Sequence, residues 1–243
     1  MRVAAHSVAH SEKAQSDSKR NTRAANFNRL ARLYRWMEYA SFGPWLWWCR
    51  RAFLDELCEC RRGVVLGDGD GRFTARLLAA NPQIEIDAVD ASEAMLRALV
   101  ERAAKHTGRV RTVCADARAW RPDARPYDLI VTHFFLDCLT TEEVRALAVK
   151  LHAAADKEAR WVVSEFAEPE GWFGRFVARP VVWMLYHAFG LLTGLQVREL
   201  PDYRAAFGAA GFGCVKKRAW LGGLLVSELW SGCSKDPSRG CDI

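Results

Sequence analysis

Short apolar runs alternate with stretches of helical period through the middle of the chain. Val64 to Leu66 is a β-branched run of the kind that forms a buried parallel strand, and Phe73, Leu77 and Leu78 then recur at helical spacing. Ile84 to Val89 is a second apolar strand that ends on Asp90. Ser92 is placed to cap a helix whose inner face carries Met95, Leu96 and Leu99. A third strand is predicted over Val110 to Cys114, ending before Asp116, and a fourth over Tyr127 to Thr132, announced by Pro126 and followed by His133-Phe-Phe-Leu-Asp137. Thr140-Thr-Glu-Glu opens a helix to about Ala155 with a capping pattern. Arg160 to Phe166 is the fifth strand, and Phe212 to Arg218 and Leu224 to Trp230 are the sixth and seventh, joined at Gly222-Gly223. Strands this close in sequence predict an antiparallel hairpin at the sheet edge. The alternation predicts an α/β fold, a doubly wound, Rossmann-like, seven-stranded and mostly parallel sheet spanning residues 61–230.

The flanks read differently. Residues 1–24 are Ser, Ala, Lys and Arg without an apolar period, a mobile basic leader. From Ala25 a helix is predicted, with Phe27, Leu30, Ala31, Tyr34 and Met37 on one face; Ser41-Phe-Gly-Pro breaks it, and Trp45 to Leu57 reads as a second amphipathic helix. Residues 25–60 are thus expected to form N-terminal helices that act as a lid, and 231–243 a tail. After the fifth strand, residues 172–195 form a very apolar insertion containing Pro180, His187 and Gly190. Its uninterrupted part is short of the roughly 20 residues a membrane span needs. It reads either as an insertion helix packed on the domain or as a hydrophobic lid over a lipophilic substrate in contact with a membrane surface.

The candidate chemistry lies where the first strand ends. Gly67, Gly69 and Gly71 follow it with one residue between each, and a dinucleotide fingerprint would need glycine where Arg72 stands. A Gly-x-Gly-x-Gly bend followed by a helix, a strand and Asp90 instead suits S-adenosylmethionine (SAM), since a backbone without Cβ atoms can approach the ligand and take positive φ. Asp90, beside Ala91, offers two oxygens to both ribose hydroxyls; Asp116, beside Ala117, is the candidate for the adenine amino group. Asp68 and Asp70 are each read either as a contact to the methionine ammonium or as a solvated turn residue. Tyr34 either closes over the methionine end or packs in the core.

Composition narrows the partners. Half of the 243 residues are hydrophobic, enough for one large domain with or without a lid. The formal charge is +6, and the basic leader carries half of that excess. The mildly basic remainder has no aromatic-basic motif, so no nucleic-acid partner is expected. Eight scattered cysteines include no C-x-x-C pair; Cys58-Glu-Cys60 reads as free thiols rather than a metal pair, and no metal is expected. Cysteine usage of this kind, with no continuous apolar signal core at the N-terminus, fits a reducing cytoplasm.

These residues resemble the class I SAM-dependent methyltransferases, and among them the ubiquinone/menaquinone biosynthesis C-methyltransferase family. The likeness runs from Phe27-Asn-Arg-Leu-Ala-Arg-Leu-Tyr34 and Ser41-Phe-Gly through Val65 to Gly71, Asp90-Ala-Ser, Asp116, Tyr127-Asp-Leu-Ile and Ser164-Glu-Phe-Ala-Glu-Pro169 to Ala210-Gly-Phe and Leu221-Gly-Gly. It departs at Val65, where the family carries an acid; at Asp137 and Cys138, where the quinone enzymes carry Arg-Asn; and at Ala155–Ala159, where they carry Lys-Pro-Gly-Gly. The resemblance implies SAM as cofactor and methyl transfer to a small, apolar or aromatic acceptor. If the acceptor must lose a proton, His133 is the first candidate base, its ordinary pKa suiting transfer near neutrality, and Asp137 the second. A pocket-lining His133 and a turn-capping Asp137 are the alternatives. An aminopropyltransferase of the polyamine-synthase type and a SAM-binding module without catalysis are the competing functions.

Overall fold

The computed structural model describes residues 43–169, 171–180 and 200–232. The leader, the helix carrying Tyr34, most of the apolar insertion and the tail lie outside the described residues. The core is a seven-stranded sheet of order β3-β2-β1-β4-β5-β7-β6. Its strands are β1 Arg62–Leu66, β2 Glu85–Asp90, β3 Val110–Cys114, β4 Tyr127–His133, β5 Ala155–Phe166, β6 Phe212–Trp220 and β7 Leu225–Gly232. All neighbours pair in parallel except β7, which runs antiparallel to both β5 and β6. The seven-stranded, mostly parallel sheet with its late hairpin is therefore as expected from the pattern. The fifth strand is longer than expected, beginning at Ala155 rather than at Arg160.

The helices are α1 Pro44–Arg50, α2 Arg72–Ala80, α3 Glu93–Arg102, α4 Thr141–Ala153 and α5 Tyr203–Ala210. Val65, Leu129, Val131 and Val162 bury one sheet face with Phe73, Leu77, Leu96 and Leu99 of α2 and α3. Val64, Leu66, Ile130 and Val163 bury the other with Val144, Leu147 and Leu151 of α4 and Phe207 of α5. Helix α4 begins with the anticipated capping box, the Thr140 hydroxyl accepting the Glu143 N–H at 3.2 Å while the Glu143 carboxylate accepts the Thr140 N–H at 2.9 Å.

The predicted helix over 45–57 is interrupted. Helix α1 ends at Arg50, and the chain resumes as a 3-10 turn over Leu54–Leu57. Ala52, Phe53 and Leu54 are all buried, and three successive residues of a straight α-helix point about 100° apart, so one face cannot bury them all. Asn81 holds this segment: its amide donates to the carbonyls of Leu57 at 2.9 Å and Cys60 at 2.6 Å, and its side-chain oxygen accepts the N–H groups of Gln83 and Ile84. Of the apolar insertion, the first part forms a helical turn over Gly171–Phe173 and a π-helical stretch over Gly174–Ala178. Among the described residues no helix is long and apolar enough to cross a membrane.

Strand order places the site. The chain leaves β1 toward β2 and β3, then returns to lay β4 on the other side of β1. Connections depart in opposite directions from the carboxyl ends of β1 and β4, and a crevice opens between them. Gly67 continues β1 into that crevice, and His133 and Phe134 continue β4 into it.

Candidate active site

The bend after β1 is built from left-handed glycines. Gly67 has φ +67° and Gly69 φ +63°. At Gly67 a Cβ would fall 2.4 Å from the Phe135 ring, so only glycine lets that ring close on the backbone. At Gly69 a Cβ would meet nothing within 4 Å, so this face of the bend is open. Gly71 is the left-handed N-cap residue of α2.

Asp90 faces the bend. Its carboxylate accepts the Ser92 N–H at 2.7 Å and a backbone hydrogen bond from Gly69. Burial, with the Asp68 charge adding to it, pushes its pKa up to about 6, while the two N–H groups pull the other way. Ala91, exposed beyond it, accepts a long contact from the Cys114 thiol through its carbonyl.

The two aspartates of the loop separate. Asp68 is buried, and one of its oxygens accepts both the Thr74 N–H at 2.9 Å and the Thr74 hydroxyl at 2.7 Å, capping α2. Its Oδ1 is buried with no hydrogen-bond partner among the described residues. Asp70 is instead held by Arg72 at 3.1 Å and Arg102 at 2.8 Å. Asp116 follows β3, whose extension bonds to Asp90 through the Ala115 N–H. Its carboxylate is bound by the Arg118 guanidinium at 2.6 Å and accepts the Arg118 N–H. Ala117 is buried next to it and gives its carbonyl to Lys150 at 2.7 Å.

At the end of β4, His133 is only 2 % exposed, and neither ring nitrogen has a hydrogen-bond partner among the described residues. The Phe73 ring packs edge-on against it with centroids 4.5 Å apart. Burial, and then the nearby Arg50 charge, hold its pKa well below the ordinary histidine value. Enclosure of this kind disfavours the charged form of the ring. Asp137 sits in the 3-10 turn Leu136–Cys138, its Oδ1 3.5 Å from the Cys138 thiol.

Two groups in this region gave no signal in the sequence pattern. Arg50, at the end of α1, places its guanidinium 5.2 Å from the centre of the Phe134 ring; burial raises the Asp68 pKa and the Arg50 charge partly offsets this, while the same charge adds to the burial that lowers the pKa of His133. Glu165, at the end of β5, is buried and accepts backbone hydrogen bonds from the turn after β4. Phe134 and Phe166 form an aromatic wall with centroids 5.2 Å apart.

These residues fit SAM. The open face at Gly69 lies against the Asp90 carboxylate, which suits a ribose diol, and the unpartnered Asp68 Oδ1 is a buried acceptor for an ammonium group. Among the described residues no cluster of His, Cys, Asp or Glu is arranged to hold a metal ion.

Comparison with known proteins agrees with this geometry. Residues 64–157 match a family described as a methyltransferase domain. The ubiquinone/menaquinone biosynthesis C-methyltransferase UbiE of Syntrophotalea carbinolica is 28 % identical over 234 residues, covering 87 % of this chain and 93 % of that protein. The chain is similar to the class I SAM-dependent methyltransferases. The fold of this chain recurs in solved structures of low identity. N-methyltransferase NodS from Bradyrhizobium japonicum superposes with a TM-score of 0.55 at 12 % identity, covering 75 % of this chain and 94 % of that one. NodS has also been solved in complex with S-adenosyl-L-homocysteine, with a TM-score of 0.56 at 12 % identity and coverage of 75 % and 85 %. The dimethyltransferase RosA from Streptomyces davawensis gives 0.56 at 20 % identity, covering 77 % of this chain and 54 % of RosA.

Proposed function

We propose that this methyltransferase acts on a small, apolar or aromatic acceptor held above the carboxyl ends of β4 and β5. The observation that carries the reading is the open bend at Gly69 with the Asp90 carboxylate bonded to its N–H. When bound, SAM supplies a methyl group already activated on a sulfonium. What remains for the protein is to hold donor and acceptor in line and to exclude water. Gly67 to Gly71 and Asp90 hold the nucleoside, with Ala91, Asp116 and Ala117 on the adenine side and the Asp68 Oδ1 taking the ammonium. The acceptor meets Phe73, Phe134 and Phe166, and this aromatic wall favours an apolar ring or chain. His133 receives a proton from the acceptor when one must leave, on a ring whose two buried nitrogens have no partner among the described residues. Asp137 is the second candidate for that step.

The UbiE relative is named for ubiquinone and menaquinone biosynthesis. Asp137 and Cys138 stand where the quinone enzymes carry Arg-Asn, which favours a different acceptor here. Trp172 and Phe176 are 73 % and 69 % exposed beside the exposed Arg175 and Arg179, which supports a lipophilic acceptor approaching from an apolar phase or a membrane surface.

The test is calorimetric titration with SAM, followed by transfer of a tritiated methyl group into a fractionated metabolite extract. Label in the lipid-soluble fraction is the expected result. Binding with no label in any fraction would turn the reading to a SAM-binding module without catalysis. His133→Gln is expected to lower label transfer by about 100-fold while keeping SAM affinity.

A further inference from the structure

Glu165 is a carboxyl group with 1 % exposure at the end of a central strand, and methyl transfer as described above does not use it. A buried carboxyl persists only where hydrogen bonds compensate for lost water. Its Oε1 accepts the Phe135 N–H at 3.1 Å and the Leu136 N–H at 2.8 Å, and the Asp137 N–H also bonds to the carboxyl. The three N–H groups converge because Phe134 takes φ +52° and Phe135 then takes φ −126°, ψ −39°. Successive N–H groups turned inward in this way form a concavity that requires an acceptor. A left-handed phenylalanine persists only where its surroundings over-determine it.

The turn has a consequence on the other side of the crevice. It lays the Phe135 ring on the backbone of Gly67, where a Cβ would lie 2.4 Å from the ring. Gly67 opens the bend that carries Asp68 and Gly69. A continuous path therefore runs from the Glu165 carboxyl through the N–H groups of 135 and 136 and the Phe135 ring to the start of the cofactor bend.

We infer that Glu165 is a positioning residue for the cofactor: by holding the turn over 134–137 it seats the Phe135 ring on Gly67 and so sets the shape of the bend that receives SAM. Burial first, and the neighbouring Asp137 second, raise its pKa well above the ordinary carboxylate value. Its Oε1 serves as a hydrogen-bond acceptor for the turn, a role that the side-chain oxygen of a glutamine can take. The inference rests on SAM occupying the bend at Gly69, and titration of the wild-type chain with SAM tests that reading separately.

The experiment measures SAM and S-adenosylhomocysteine affinity by calorimetry on the full chain, with hydrogen exchange at the amides of 135 and 136. Glu165→Ala is expected to weaken SAM binding about tenfold and to expose both amides to exchange; Glu165→Gln is expected to stay within about threefold of wild type and keep them protected. Phe135→Ala, which leaves the carboxyl in place, is expected to weaken SAM about tenfold. The double variant Glu165→Ala/Phe135→Ala is expected to be about as weak as either single one, because both break the same path. Wild-type affinity in Phe135→Ala, a Gln variant as weak as the Ala variant, or losses that multiply in the double variant would each overturn the inference. If Glu165→Ala does not fold, Phe135→Ala and Glu165→Gln decide it alone. A wild-type chain that does not bind SAM overturns the site reading itself.

Discussion

Asp90 meets opposing demands. Its carboxylate lies in a place that burial makes unfavourable for charge, with pKa pushed up to about 6, yet the proposed contact to two ribose hydroxyls needs the ionised form as acceptor. The sign follows directly. Above about pH 6 the ionised form dominates and SAM affinity is flat; below it, affinity falls about tenfold per pH unit, because protonation competes with the ligand. Calorimetry from pH 5 to 8 checks this, and binding near pH 6 is expected to release protons to the buffer. Asp90→Ala is expected to weaken SAM by about tenfold or more, the loss appropriate to a charged hydrogen-bond partner. Unchanged affinity would mean that the ribose sits elsewhere. Gly67→Ala is expected to cost about 1–2 kcal/mol from the left-handed backbone alone, with a further cost from the Phe135 ring, measurable by urea unfolding.

At the scale of elements, the site depends on pieces that bear no catalytic group. The segment from Leu54 to Cys60 delivers the chain into β1, and Asn81 is its tie, fully buried with four hydrogen bonds to backbone. Asn81→Ala leaves those backbone groups unpaired and is expected to cost about 3 kcal/mol in urea unfolding. Much of the element layout was legible in the sequence. The strands and the α4 capping box followed from apolar runs and a Thr-x-x-Glu spacing, which are local properties. The break after Arg50 was not legible, because Trp45 to Leu57 carries a passable helical period and the burial of Ala52, Phe53 and Leu54 against the domain outweighs it.

The whole molecule brings four separate stretches to one crevice: the bend after β1, Asp90 after β2, the turn after β4 and Glu165 at the end of β5. A ligand that binds only this assembled crevice must stabilise the fold. SAM at 100 times its dissociation constant is expected to add about 2.7 kcal/mol to unfolding, raising the thermal midpoint in a concentration-dependent way. A midpoint that does not move with SAM would mean that SAM does not bind the folded chain in preference to the unfolded one.

The glycine spacing and an acid at the end of the next strand, read from sequence alone, determined the sheet, the bend and the class of ligand, because turn chemistry and strand period are written in neighbouring residues. The tertiary structure decided which partners the loop carboxylates have. Asp68 and Asp70 are two positions apart and equivalent by type, yet one keeps a buried unpartnered oxygen and the other is consumed by Arg72 and Arg102. It also decided the surroundings of His133, whose pKa is lowered by enclosure and then by Arg50, 83 positions away in the chain. Glu165 was hidden for the same reason: hydrogen bonds spanning about 30 residues belong to strand order, and strand order is settled by how apolar faces are buried rather than by any local spacing.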